Sequence, residues 1–286
     1  MSPAENAPAE RLRLGGMALR NGLLVHGPTS WSVAVRNRAG EVEVASGSKP
    51  SLARGRLATT PMLRGPLRLA EAMAVVPMAR LRLRAARLPF EDPRVAVAAV
   101  GASVASAAAR RFAAGNTTRE ALIATIGLLP ALAALRDPDL AAYHGAEHKA
   151  IGAYESGGPA ADEPKEHERC GSNLIGPLIA FTVSGQVLVE KALERPGSVA
   201  RGAASLAATG AAVEVFAFAE RRPESTLSRA VHGAGHEIQK HVSTREPTAE
   251  QLEVAEAAVQ ELLRREGVAA DTEEEPAGPD SGPAVT

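Results

Sequence analysis

The sequence predicts an α+β protein that is mainly α, with a small N-terminal β-meander, an alanine-rich helical bundle and a capped C-terminal helix. Three observations predict it. Period-two alternation is confined to residues 15–48, four apolar alanine-rich windows follow, and a capping box opens the last helical stripe.

Residues 1–14 are polar and proline-containing with no apolar run, which argues against a cleavable signal peptide and for a disordered start. The β-meander is assigned to residues 15–60. Trp31-Ser32-Val33-Ala34-Val35-Arg36 and Glu41-Val42-Glu43-Val44 alternate, with Asn37-Arg38-Ala39-Gly40 as the hairpin loop between them. Gly15-Gly16, Gly22 and Gly27-Pro28 bracket a third strand expected over residues 18–25.

The helical bundle is assigned to residues 61–267. It opens with a basic stretch over 61–88 that carries Arg64, Arg68, Arg80, Arg82, Arg84 and Arg87. An anionic membrane surface suits that stretch better than nucleic acid. One Trp, two Tyr and five Phe leave few rings for bases to stack on. The apolar windows are 95–109, 121–135, 174–189 and 199–219. The first two are uncharged for about 22 Å of helix against a bilayer core of about 30 Å, so they read as four short membrane helices or as a soluble bundle. Thr248 and Gln251 form the capping box of the last helix, Leu252, Ala255, Val259, Leu262 and Leu263 its apolar stripe, and Gly267 its stop. Residues 268–286 are Pro, Gly and acid, a disordered acidic tail.

The net charge of −1 hides a split. Residues 1–119 hold 18 Lys+Arg and 7 Asp+Glu, while residues 120–286 hold 14 and 26. Such asymmetry points to an oriented molecule. A single cysteine excludes an intrachain disulfide and favours a reducing compartment.

The residues with most chemistry lie in Tyr143-His144-Gly145-Ala146-Glu147-His148-Lys149-Ala150-Ile151-Gly152-Ala153-Tyr154-Glu155. On a helix His144 and His148 sit one turn apart on one face, where two imidazoles share a metal ion. The H-x-x-E-H spacing is that of the inverted zinc-peptidase motif, with Glu147 as general base. Glu155 is a second candidate catalytic carboxylate on the same stripe, about 10 Å beyond His148 and so unable to join its ion while the helix continues. His167 and Cys170 follow three residues apart, and His144, His148, His167 and Cys170 make a tetrahedral zinc set. Cys170 also reads as a small buried apolar residue, or as a thiol activated by Arg169. His232 and His236 share a helical face and His241 does not; a polar, solvated segment fits these three better than a second metal site.

The chain resembles the YqhQ-like family of bacterial proteins. The resemblance rests on the string from Tyr143 to Glu155, on Arg169-Cys170-Gly171 after His167, and on Thr244-Arg245-Glu246-Pro247 leading into Glu250-Gln251-Leu252-Glu253-Val254-Ala255. Family members are described as metal-dependent enzymes and often as integral membrane proteins, so the resemblance implies a metal site and a membrane setting. Met17, Asn21 and His26 stand where the family has Gln, Glu and Arg.

The expectation is therefore a metal-binding, membrane-associated protein with a divalent ion, most simply zinc, and hydrolytic chemistry. The alternative is a non-catalytic membrane scaffold or assembly factor with a structural metal or buried polar network. An even number of spans, with the arginines before residue 95, places both termini in the cytoplasm. A soluble bundle would instead be cytoplasmic throughout.

Overall fold

The computed structural model describes residues 11–52, 54–112, 116–193 and 196–268. The expectations of disorder at the two ends fall mainly on residues 1–10 and 269–286, which lie outside the described residues.

Four strands, β1 (Gly15–Leu19), β2 (Gly22–His26), β3 (Ser30–Arg36) and β4 (Val42–Ser48), form an antiparallel meander in the order β1-β2-β3-β4. The strand expected over 18–25 is two strands folded back on each other, with Leu19 paired to Gly22. The turn falls at Arg20-Asn21 because both are held by groups outside the strand. Arg20 N donates to Arg87 O at 3.0 Å, and Asn21 Nδ2 donates to Arg36 O at 2.9 Å and Ala85 O at 3.0 Å. Gly22 faces the β3 backbone so closely that a Cβ would stand 2.1 Å from Ala34 O. The expected loop glycine, Gly40, has φ 89°.

Alternation gives the sheet two apolar faces, and both are covered. Leu19, Leu24, Trp31, Val33 and Val35 pack on α1 (Arg64–Arg82) through Val75, Val76 and Ala79. Ala18, Leu23, Val25 and Ala34 pack on α5 (Pro138–Ser156) and α9 (Ala249–Glu266) through Tyr143, Ala146, Ala150, Val254, Ala258 and Leu262. The capping box of α9 forms as expected, with Thr248 Oγ1 accepting from Gln251 N at 3.3 Å and Gln251 Oε1 accepting from Thr248 N at 3.0 Å. Gly267, at φ 75°, ends the helix.

The two charge halves meet across this core. Arg20 pairs with Asp137 at 2.8 Å, Arg36 with Glu253 at 2.6 Å, and Arg64 Nε with Glu214 at 2.8 Å.

The remaining helices are α2 (Pro93–Phe112), α3 (Asn116–Ile126), α4 (Leu129–Ala134), α6 (Ile175–Ala192), α7 (Ser198–Arg221) and α8 (Thr226–Ile238). They pack in a chain of neighbours: α4 on α2, α2 on α3, α3 on α6, α6 on α7, and α7 on α1. All four predicted windows are helical, but they are not four spans. Among the described residues, two helices are long and apolar enough to cross a membrane, Gly171–Ala192 and Ser198–Arg221, with 17% and 22% of their most apolar stretches buried. A third arises only if Thr117–Ala134 and Pro138–Ser156 count as one span, and they bend by 93°. The α5 half of that pair is in the sheet core. Helix α2 is not one of these two, although its Val97, Val100 and Val104 are 72%, 65% and 64% exposed.

Candidate metal centre

Helix α5 positions most of the centre. Asp137 caps it, accepting from Asp139 N at 3.0 Å, Pro138 occupies its first turn, and Gly157 ends it at φ 80°. Tyr143, Ala146 and Ala150 face the sheet, which leaves His144 and His148 on another side. A strap from the C-terminus of α8 lies across α5 there. Arg245 N donates to Ala141 O at 2.9 Å, and Gly145 permits the approach, since a Cβ would stand 2.2 Å from Arg245 O.

Three donors converge. His144 and His148 lie ring to ring with centroids 4.5 Å apart, and Cys170 Sγ is 3.4 Å from His144 Nε2. The ligand atoms of His144, His148 and Cys170 all fall within 4.8 Å of one another, so the three can hold a metal ion. Tetrahedral zinc sets an imidazole nitrogen and a thiolate sulfur about 3.5 Å apart, the separation found for His144 and Cys170.

The surroundings suit ligation. His144 Nδ1 is 2.8 Å from Ser243 O, and His148 Nδ1 is 2.6 Å from Lys165 O. A carbonyl only accepts, so each Nδ1 carries the proton and each Nε2 presents a lone pair. Ser243 belongs to a π-helical turn, Gln239–Ser243, that follows α8. Its carbonyl is left for His144 because the helical turn ends there and Thr244 is extended, at φ −127° and ψ 149°. Cys170 caps the short helical turn before α6, its Sγ accepting from Ser172 N at 3.5 Å. Burial pushes the Cys170 thiol up, and burial, followed by the neighbouring His144, holds His148 neutral. Both effects describe the metal-free protein.

His167 does not join the three donors. Its Nδ1 accepts from Arg169 N at 3.2 Å, and its Nε2 is 3.2 Å from Glu155 Oε2, so both ring nitrogens are already occupied. Its ring lies 5.8 Å from that of His148. Glu155 also pairs with Arg169, and Arg169 is therefore committed to a carboxylate rather than to the Cys170 sulfur.

Glu147 is buried over the first β-strand, where a Cβ on Gly16 would stand 2.7 Å from Glu147 Oε1. No hydrogen bond reaches its carboxylate from the described residues. Burial, offset by His144, raises its pKa to about 7. His144, Glu147, His148 and Cys170 all line one cavity of about 620 Å³, with His167 and Arg169 on the same wall. His26 and Met17 line it too, whereas Asn21 sits in the hairpin turn described above. Burial, reinforced by Lys49, lowers the His26 pKa to about 4.

The second histidine cluster is dispersed. His236 is exposed, His241 pairs with Glu237 at 3.2 Å on the surface, and His232 faces Asn173 at 3.5 Å. The only metal-capable group among the described residues is the first.

Sequence reasoning missed the Ser243 and Lys165 carbonyls and the buried Lys149, which donates to Ala161 O at 3.0 Å and pairs with Glu246 at 2.7 Å. Backbone acceptors leave no trace in side-chain identity. The one available signal was the Thr244-Arg245-Glu246-Pro247 string, which is the strap itself.

The span that carries these residues also matches a known family. The family described as protein of unknown function DUF1385 matches residues 121–265, just over half of the 286-residue chain. The chain belongs to that family. The match runs from within α3 to α9 and takes in α5, Cys170, the α6–α7 pair and the strap; the meander and α1 lie before it. No curated protein and no solved structure matches the chain.

Proposed function

We propose that this DUF1385 protein is a membrane-associated, metal-dependent hydrolase whose ion is held by His144, His148 and Cys170. One observation carries the reading: three metal-competent donors and an unpartnered buried carboxylate share one cavity wall. Three protein ligands leave a tetrahedral ion one open position, the arrangement of catalytic rather than structural zinc. Two imidazoles and a thiolate suit zinc far better than magnesium or calcium.

Bound there, zinc supplies Lewis acidity toward a carbonyl oxygen and makes water a better nucleophile near neutral pH. The chain's own residues do the rest. Glu147 Oε1, with a pKa near 7, accepts a proton from the attacking water and returns it to the leaving group. Glu155 holds His167 and Arg169, which line the same cavity, in place. Helices α6 and α7 enter the bilayer as a hairpin, which leaves the sheet, α5 and both ends of the chain on one side. The arginines of α1 and of residues 83–87 support a cytoplasmic location for that side, against anionic lipid.

Metal analysis of detergent-purified protein tests the reading, with one zinc per chain expected and none in a His144→Ala/His148→Ala variant. Folded, metal-free protein from zinc-replete cells overturns it. The second reading, a scaffold clipped by a structural ion, is supported by the position of the donors, which come from α5 and from the segment before α6. A large chelator-induced loss of thermal stability without turnover on any ester or amide would favour it.

A further inference from the structure

The cavity is much larger than the centre needs, and its far wall is apolar. From Cys170 and Glu147 it runs between α1 and α4, past Leu69, Met73, Val76, Ala131 and Leu135. Those two helices stand at the ends of the chain of helix neighbours, α4 packed on α2 and α1 on α7, so the cavity occupies the gap between them. Leu69 and Met73 line the cavity and are also 47% and 51% exposed, so the lining continues onto the outer surface.

We infer that this cavity takes one acyl chain of a bilayer lipid, entering sideways between α1 and α4, with the lipid's ester end at Glu147. The inference deepens the hydrolase reading above and rests on it for the role of the polar end. Three features favour this occupant. The polar groups of the lining come from α5, residues 167–172 and His26, and what α1 and α4 contribute is aliphatic throughout, matching a molecule with one reactive end and a long apolar remainder. The volume of about 620 Å³ is within the range of small-ligand sites, whereas a peptide helix about 10 Å across would fill it within roughly a turn and a half. The gap opens beside helices whose apolar faces are uncovered, and a water-soluble substrate has no reason to enter there. Glu147 is the second, independent sign of a ligand: it is 8% exposed, lacks a hydrogen bond from the described residues and lines the cavity.

The test uses the full chain in phosphatidylcholine vesicles containing a phosphatidylglycerol with a diazirine on one acyl chain. After photolysis, adducts are expected on peptides bearing Leu69, Met73 and Leu135. Met73→Trp, and separately Ala131→Leu, should lower those adducts by about tenfold, the effect of displacing two or so buried methylenes. Both variants should keep the wild-type melting temperature and zinc content. Adducts confined to Val97 and Val104 on α2, or unchanged in both variants, overturn the inference. Adducts along α1 and α4 produced equally by a photoreactive apolar helical peptide overturn it as well. Zinc measured on the same samples separates the two ideas: metal-free protein with cavity adducts leaves the lipid site standing and removes the hydrolase, and zinc-loaded protein without them does the reverse.

Discussion

His144 Nε2 and Cys170 Sγ stand 3.4 Å apart although 26 residues separate them. The intervening chain finishes α5, loops through Lys165, whose carbonyl holds His148, and arrives at the short helical turn before α6 with Cys170 as the cap of that turn. The loop therefore supplies one donor of the proposed site and orients another. Cys170→Ala should weaken zinc binding by more than the roughly 10–100-fold that follows loss of an outer-sphere partner. Competition against a calibrated chelator measures it. The fold should survive, because Cys170 contributes little apolar bulk.

A sharper test of the strap is Gly145→Ala. The added methyl would meet the Arg245 carbonyl at 2.2 Å, and neither backbone can yield without moving Ser243, the acceptor for His144. The expected cost is about 1–3 kcal/mol of stability together with weaker zinc binding. Gly152→Ala on the same helix is the control. Its methyl would meet only the Glu163 carboxylate tip at 3.0 Å, which can swing away, so helix propensity and the contact should nearly cancel. Thermal melts with and without chelator separate the two variants.

Much of this arrangement was legible because it is local. The spacing of His144, Glu147 and His148, the Thr248–Gln251 box and the Gly40 turn each depend on residues a few positions apart, and all appear as expected. What was not legible depends on partners distant in sequence. His167 reads as a ligand by spacing, but the fold carries Glu155 and the Arg169 amide to its two nitrogens. The strand over 18–25 looks continuous until Ala85 and Arg87 are present to hold Asn21 and Arg20. The windows at 95–109 and 121–135 are as alanine-rich as the others, and alanine at a helix surface does not distinguish lipid from protein.

Glu147 should make stability depend on pH in a definite direction. Its pKa in the fold is raised to about 7 from 4.5, so between those values the native state binds more protons than the unfolded chain. Its contribution is complete below about 4.5 and disappears as pH rises through about 7, a change on the order of 3 kcal/mol in metal-free protein. His26 and His148 act oppositely: their lowered pKa values mean stability is lost as pH falls below the ordinary histidine range. The informative quantity is therefore the difference between wild type and Glu147→Gln. With chelator present, the variant should gain on wild type as pH rises from 5 to 8, and bound zinc should shrink the gap by favouring the carboxylate.

At the other end of the long helices, Glu190 of α6 holds two arginines, Arg201 of α7 at 2.8 Å and Arg119 of α3. Gln186, one turn earlier, is buried and donates to Arg201 O at 3.0 Å and Ser205 Oγ at 3.1 Å. These contacts join three apolar helices by charge where side-chain bulk is small. Glu190→Ala takes the carboxylate from Arg201 and leaves Arg119 only Glu120, at 3.4 Å. Breaking a fully buried pair costs roughly 3–5 kcal/mol. Here Arg201 keeps 25% of its side chain exposed, so about 2 kcal/mol is expected. Adding Arg201→Ala should recover part of that loss, since the charge left without a carboxylate is then gone. Unfolding of wild type, Glu190→Ala, Arg201→Ala and the double variant in the same detergent measures the coupling. Additive losses would mean that the helices are held by their small apolar faces alone.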